Sequence, residues 1–368
     1  MQTVYWGALA AVEGIGRVTL FRIWEWCQKK HISIEEFWRN ARFWSVAGLS
    51  ASQVKSLTKW QTQGGLDRFT QVLKVLNLHM IGFWQPEYPT LLQELPDKPF
   101  LLFIQGDLQK LTLFSGPAVA VVGTRKPTGY GVGVTKRLTT ELVERGCPII
   151  SGFMTGVDQL AHQACMSAEG VTVGVLGYGH THVFPAHLHH FRREFLLAGN
   201  ILVSEFAPQI VPKKGQFPVR NRIVAGLAQA TVVIEAGEKS GSLLTAEAAV
   251  TYNRAVGAVP GAITSFYSAG CHKLLQEGAA LITKAADVYE AIGLPAVDIS
   301  PMAMNSASSL PTDETMAEVL RILQSQTAST EELLLLTRYS QAEILAALST
   351  LELQERVVFQ GGEWAILC

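Results

Sequence analysis

The sequence predicts a doubly wound α/β domain with a mostly parallel sheet, preceded by a helical segment and followed by a small winged-helix unit. Three observations predict it. From residue 118 short β-rich runs alternate with helical stretches, several of those runs lack polar alternation, and residues 1–80 show helical spacing without strand-like alternation.

The strands are expected at 118–123, 148–150, 171–177, 201–204, 231–235 and 256–259. Runs that are apolar at every position suit a sheet covered by helices on both faces. The helices are expected near 129–145, 156–169, 187–198, 241–253 and 270–277. In residues 1–80, Trp, Leu, Ile and Phe recur at helical spacing, broken by Gly14-Ile15-Gly16 and Gly48-Leu49. The first turn resembles a helix-hairpin-helix turn, whose exposed N–H groups can hold a phosphate; the bland alternative is the bend of a small helical bundle. Residues 291–312, rich in Pro, Ser and Ala, read as a linker. Beyond it, helices are expected at 314–324, at 331–336 capped by Ser329 or Thr330, and at 343–353 after Ser340. A hairpin of 357–360 and 364–367 turns at Gly361-Gly362, completing a winged-helix pattern. The expected domains are 1–85, helical; 86–290, α/β; 291–312, linker; and 313–368, winged helix.

Composition narrows the function classes. Only 17% of the 368 residues are charged, 48% are hydrophobic, and the formal net charge is −1. Such a chain is neither mainly disordered nor a histone-like polycation. No run approaches the roughly 18 apolar residues of a membrane span, and the N-terminus lacks a signal-peptide pattern. Five scattered cysteines, Cys27, Cys147, Cys165, Cys271 and Cys368, predict isolated thiols in a reducing cytoplasm. The charge is uneven: residues 1–90 carry net +4, 91–290 net +2 and 313–368 net −6.

Five segments carry candidate chemistry. Gly123-Thr124-Arg125, with Thr128 and Gly131 at the next helix start, can offer N–H groups and a guanidinium to a phosphate. It matches neither the dinucleotide fingerprint nor the P-loop. Ser151-Gly152 and Gly156-Val157-Asp158 form a second loop, with His162 one turn on; the Asp–His spacing would suit catalysis, but capping and bracing are the expected roles. His180, His182, His187, His189 and His190 crowd together without the thiolates or carboxylates of a metal site, so no metal is expected. Lys213-Lys214-Gly-Gln-Phe217-Pro-Val-Arg220-Asn221-Arg222 holds four basic residues and no acid. Its cations can meet phosphates while Phe217 stacks on a base or packs under its own loop; if the stretch is extended, Arg220 and Arg222 share a face. Finally, Lys239, Ser240, Gly241, Ser242 and Thr245 follow the strand ending at Glu235 and can form a phosphate nest; alternatively Glu235 could anchor an arginine such as Arg125 or Arg222 and keep the pocket preorganised. No nucleophile or acid–base pair is legible, and no cofactor is called for.

In this order, GTRKPTGYG, SGFMTGVD with His162, VLGYG, SEFAP, FPVRNRIVAGLA, VVIEAGEKSGSLLTA, AVPG and GAALI resemble the DNA processing protein A (DprA/Smf) family across most of residues 118–282. The resemblance implies an extended Rossmann-like core between a SAM-like or helix-hairpin-helix domain and a winged helix. It implies a non-enzymatic protein that protects single-stranded DNA in natural transformation, helps load RecA recombinase and dimerises through its Rossmann-like domain. Carried over by motif, Arg125, Lys214, Phe217, Arg220, Asn221 and Arg222 should bind DNA, joined by Lys239. Ser151, Gly152, Gly156 and Asp158, with Ser240, Gly241, Ser242 and Thr245, should contact DNA or brace its pocket. Met154-Thr155 replaces the arginine usual in the family's SGxARGID loop, and Phe184-Pro185 replaces its Tyr-Pro. The late GTNxLIxxGA motif reads Gly270-Cys271-His272-Lys273-Leu274-Leu275. Two other readings compete: a phosphoribohydrolase-like enzyme, which needs a PGGxGTxxE loop this chain lacks, and a DNA-associated oligomeric scaffold. The acidic C-terminal segment is expected to meet protein or its own chain and to bind duplex DNA weakly.

Overall fold

The computed structural model describes residues 2–110, 116–294 and 313–366, apart from Ser325, Arg338, Ser340, Glu355, Gly361 and Gly362. Residues 295–312 of the expected linker, the Ser340 cap, the Gly361-Gly362 turn, Leu367 and Cys368 lie outside the described residues. Two compact units result, Met1–Asp298 and Ile299–Cys368.

In the first unit nine strands form one sheet: β1 (His79–Gly82), β2 (Leu101–Gln105), β3 (Val119–Val122), β4 (Ile149–Gly152), β5 (Thr172–Val175), β6 (Ile201–Ser204), β7 (Ala230–Val233), β8 (Ala255–Ala258) and β9 (Ala280–Leu281). Their order is β1-β2-β6-β5-β4-β3-β7-β8-β9. From β6 to β9 neighbours are parallel, while β2 pairs antiparallel with β6 and β1 with β2. The sheet therefore begins inside the segment expected to be wholly helical, because β1 finds its partner in β2. Alternate residues of β3 feed opposite cores: Ala120 and Val122 pack beneath the helices Gln216–Gly226 and Gly241–Thr251, and Val119 and Val121 beneath Gly129–Glu144 and Val157–Ser167. Burial on both faces is the physical reason for the missing polar alternation. The six N-terminal helices, from Gln2–Ala10 to Gly65–Val75, share an aromatic-rich core that takes in Phe100, Leu101 and Phe103 from the sheet's edge.

The stretch around Arg220 and Arg222 is not extended. Residues Gln216–Gly226 are a helix, so Arg220 and Arg222 lie about 200° apart around its axis and do not share a face. Pro218 sits in the first turn, where its missing N–H costs nothing.

The second unit holds helices Asp313–Leu323, Thr330–Leu336 and Gln341–Leu353 with the hairpin β10 (Val357–Gln360) and β11 (Glu363–Ile366). Ser329 caps the middle helix: its hydroxyl accepts from the Glu332 N–H at 3.2 Å while the Glu332 carboxylate accepts from the Ser329 N–H at 2.8 Å. Val319, Leu333, Ile344, Leu348, Leu351 and Val357 form its core. Among the described residues no helix is long and apolar enough to cross a membrane. Cys27, Cys147, Cys165 and Cys271 are buried free thiols, and burial pushes Cys27, Cys147 and Cys165 up to about 12.

A candidate nucleic-acid crevice at the sheet's switch point

The chain runs outward from β3 through β4, β5 and β6, then returns to the other side of β3 as β7, β8 and β9. Between β3 and β7 the order reverses, and in open α/β sheets ligands bind in the crevice outside the carboxyl ends of such strands. A cavity of about 700 Å³ opens there.

The first wall is the loop after β3. Thr128 caps the helix Gly129–Glu144, its hydroxyl accepting from the Gly131 N–H at 3.2 Å. The same hydroxyl donates to one oxygen of Glu235 at 2.6 Å, and the Thr128 N–H donates to the other at 2.8 Å. Glu235 thus clamps the loop; it anchors neither Arg125 nor Arg222, contrary to expectation, because Thr128 occupies both carboxylate oxygens. A Cβ on Gly131 would come within 2.2 Å of that carboxylate, so a side chain there would push the clamp aside. Arg125 and Lys126 are left exposed along the crevice.

The second wall is the loop after β4. Ser151 is buried and donates to the Val121 carbonyl at 2.7 Å, a brace rather than a contact surface. Gly152 lets the Arg220 guanidinium approach, where a Cβ would meet Nη1 at 2.5 Å. Gly156 has φ +88°, and its Cβ would lie 2.4 Å from the Thr124 carbonyl oxygen. Gly156→Ala is expected to cost about 1–3 kcal/mol, the usual strain of a side chain in that region; an unchanged urea midpoint would refute it. His162 is fully buried, 2.7 Å from the Thr172 hydroxyl, and burial drops its pKa to about 3, so it is neutral and unpaired with Asp158. Asp158 itself lines the crevice. Burial raises it to about 7 against the opposing pull of Arg220 and Arg125.

The third side is the helix Gln216–Gly226. Arg220 is 4% exposed and donates from Nη1 to the Val175 carbonyl, forming the floor. Arg222 points elsewhere, bridging Glu205 and lying 3.5 Å from Asp97, and does not line the crevice. Asn221 donates to the Gly241 carbonyl at 3.1 Å, tying this helix to the last loop. Phe217 is half-buried, packed at 5.4 Å from Phe184 and 6.4 Å from Tyr178, so the ring is held in place where it lines the cavity. Lys214 is exposed beside it.

Ser240 caps the helix Gly241–Thr251 and shares a 2.8 Å hydrogen bond with Ser242. Gly123, Thr124, Arg125, Gly152, Asp158, Lys214, Phe217, Arg220, Asn221, Ser240, Gly241, Ser242 and Thr245 all line the crevice; Arg222, Lys239, Thr128, Gly131, Ser151 and Gly156 do not. Lys126, Phe184, Leu244 and Tyr267 line it without having been singled out as site residues. Lys126 could have been found as the neighbour of Arg125, but nothing local marks Tyr267, which arrives from beyond β8. Histidine leads to no metal centre: His180 is buried against the Leu202 carbonyl at 3.3 Å, and among the described residues no group of three or more His, Cys, Asp and Glu could hold a metal ion.

The model of the family described as DNA recombination-mediator protein A matches residues 79–293. The chain is 38% identical over 230 residues to the DNA processing protein DprA of Bacillus subtilis, covering 61% of this chain and 75% of that protein. It is similar to the crystal structure of DprA from Streptococcus pneumoniae, with TM-score 0.65 and 29% identity over 78% of this chain and 96% of that one. It is also similar to a structure describing the single-stranded DNA binding mode of DNA processing protein A from Helicobacter pylori, with TM-score 0.51 and 28% identity over 58% and 94%.

Proposed function

Because this chain belongs to the DNA recombination-mediator protein A family, we propose that it binds and protects single-stranded DNA, with little sequence preference, in the crevice between β3 and β7. One observation carries the proposal: separate loops at the strand ends converge on one cavity and bring Arg125, Lys126 and Lys214 beside the fixed ring of Phe217. Cations along a track with an aromatic face are what a flexible polyanion with exposed bases requires. Ser240, Ser242 and Asn221 supply hydroxyl and amide groups for phosphate oxygens, while Arg220 and Glu235 keep the walls in place. Arg222 stabilises the frame through its carboxylate partners and Lys239 extends the cationic rim.

The proposal extends to the assembly. The sheet from β2 onward is an extended Rossmann-like core within residues 86–290, with β1 added at its edge from the preceding segment, flanked by a SAM-like or helix-hairpin-helix domain and by a winged helix whose acidic surface meets protein. The protein works in the cytoplasm as a homodimer through the Rossmann-like domain and helps load RecA recombinase on the bound strand.

The test is equilibrium binding of labelled oligonucleotides across salt concentration. Arg125→Ala and Lys214→Ala should each weaken single-strand binding and make the plot of log K against log salt shallower by about 0.7. Phe217→Ala should lose stacking worth about 1–3 kcal/mol with the slope kept. Full affinity in all three variants would reject the crevice as the binding site.

A further inference from the structure

The crevice does not end at the sheet. Lys213 and Lys214 are consecutive and both exposed, yet Lys214 lines the crevice while Lys213 lines a second cavity of about 1120 Å³ on the other side of the same ridge. Pro218 lines both. The second cavity passes under the turn Gly14-Ile15-Gly16 and shares Ala11 and Gln209 with a third, of about 740 Å³, bounded by Trp60 and Arg68 on the N-terminal helices. The three form one trough.

Its lining repeats the chemistry of the crevice. Lys213 and Arg17 stand in the second cavity with the half-buried ring of Phe206; Arg68 stands in the third with the half-buried ring of Trp60. Of the three carboxylates lining the second cavity, Asp97 and Glu205 lie against Arg222 and Glu13 is exposed, while Asp67 stands beside Arg68 in the third; among the described residues Arg17 and Lys213 carry no ion pair and face an incoming anion. The helix Arg17–Lys30 starts at Gly16 with no side-chain cap hydrogen bond, which leaves N–H groups of its first turn for another acceptor. A cation and an aromatic ring on the lining of each successive cavity fit a phosphate–base repeat better than a compact ligand.

We propose that the bound single strand continues from the crevice over the Lys213–Lys214 ridge and along the N-terminal helices, with Arg17 and Arg68 each meeting a phosphate. This rests on the crevice being the primary site, and the experiment separates the two. Full-length protein is titrated with fluorescein-labelled oligo(dT) of about 5 nucleotides and of about 20, lengths that bracket one segment and the whole trough. The Arg17→Gln/Arg68→Gln double variant should bind the short strand as wild type does. On the long strand its salt slope should become shallower by about 1.4, at about 0.7 per lost phosphate contact, with affinity down about tenfold. Unchanged short-strand binding also reports that the crevice is still folded. Wild-type slope and affinity on the long strand would overturn the extension and leave the trough to another occupant, such as a peptide. Equal losses on both lengths would overturn it too. If wild-type protein bound neither length, the crevice itself would be wrong.

Discussion

Glu235→Ala is expected to destabilise the first unit by about 4 kcal/mol, from two charge-assisted hydrogen bonds worth about 1.5–3 kcal/mol each. Glu235 is 3% exposed, and both oxygens are held by Thr128 at 2.6 and 2.8 Å. Truncation leaves the Thr128 N–H and hydroxyl proton without an acceptor and opens a void against Gly131, which has no side chain to fill it. The start of the helix Gly129–Glu144 then loses its tie to Glu235, while the Thr124 N–H still donates to the Glu235 carbonyl at 2.8 Å, so the Arg125 loop loosens and DNA affinity should fall even under conditions where the variant is folded. Glu235→Gln keeps the shape and can still accept the Thr128 N–H while its amide donates to the hydroxyl. It should therefore recover most of the loss. Urea melts decide: equal midpoints for wild type and the alanine variant, or equal losses for alanine and glutamine, would refute the clamp.

The same pair marks the boundary of what was legible. Thr128 as a helix cap and Ser240 as the start of a nest are local features, readable from a few neighbouring residues. The Glu235–Thr128 clamp joins residues 107 positions apart, and only the sheet order brings them together. The helix Gln216–Gly226 was hidden for a related reason. Arg220 and Arg222 interrupt any apolar stripe, and they look like exposed binding groups because their partners, the Val175 carbonyl, Glu205 and Asp97, lie on distant strands and loops. Burying a guanidinium requires such partners, and a sequence window does not contain them. The parallel strands were legible because burial on two faces leaves an unbroken apolar run. β1 and β2 were not, because an antiparallel edge is specified by its pairing.

Asp158 leads to the second large effect. Its pKa rises from 3.8 to about 7, burial outweighing the pull of Arg220 and Arg125, whereas the neighbouring His162 stays neutral. Between those two values the folded state binds the proton more tightly than the unfolded chain. Stability should therefore fall as pH rises from about 4 to about 7 and level off above, the opposite of a salt-bridged carboxylate. The consequence for binding has the same origin. Above pH 7 the ionised carboxylate sits in the crevice and opposes a phosphate; below it the group is neutral and the field of Arg220 and Arg125 is unopposed. Single-strand affinity should rise about tenfold from pH 8 to pH 6, on the order of 1.4 kcal/mol for one charge at this range. A bound phosphate raises the pKa further, so binding at pH 7 should take up protons, measurable as a dependence of the calorimetric enthalpy on the ionisation enthalpy of the buffer. Asp158→Asn should abolish that uptake and hold affinity at its low-pH level throughout. A pH profile identical in wild type and Asp158→Asn would show that the carboxylate does not face the strand.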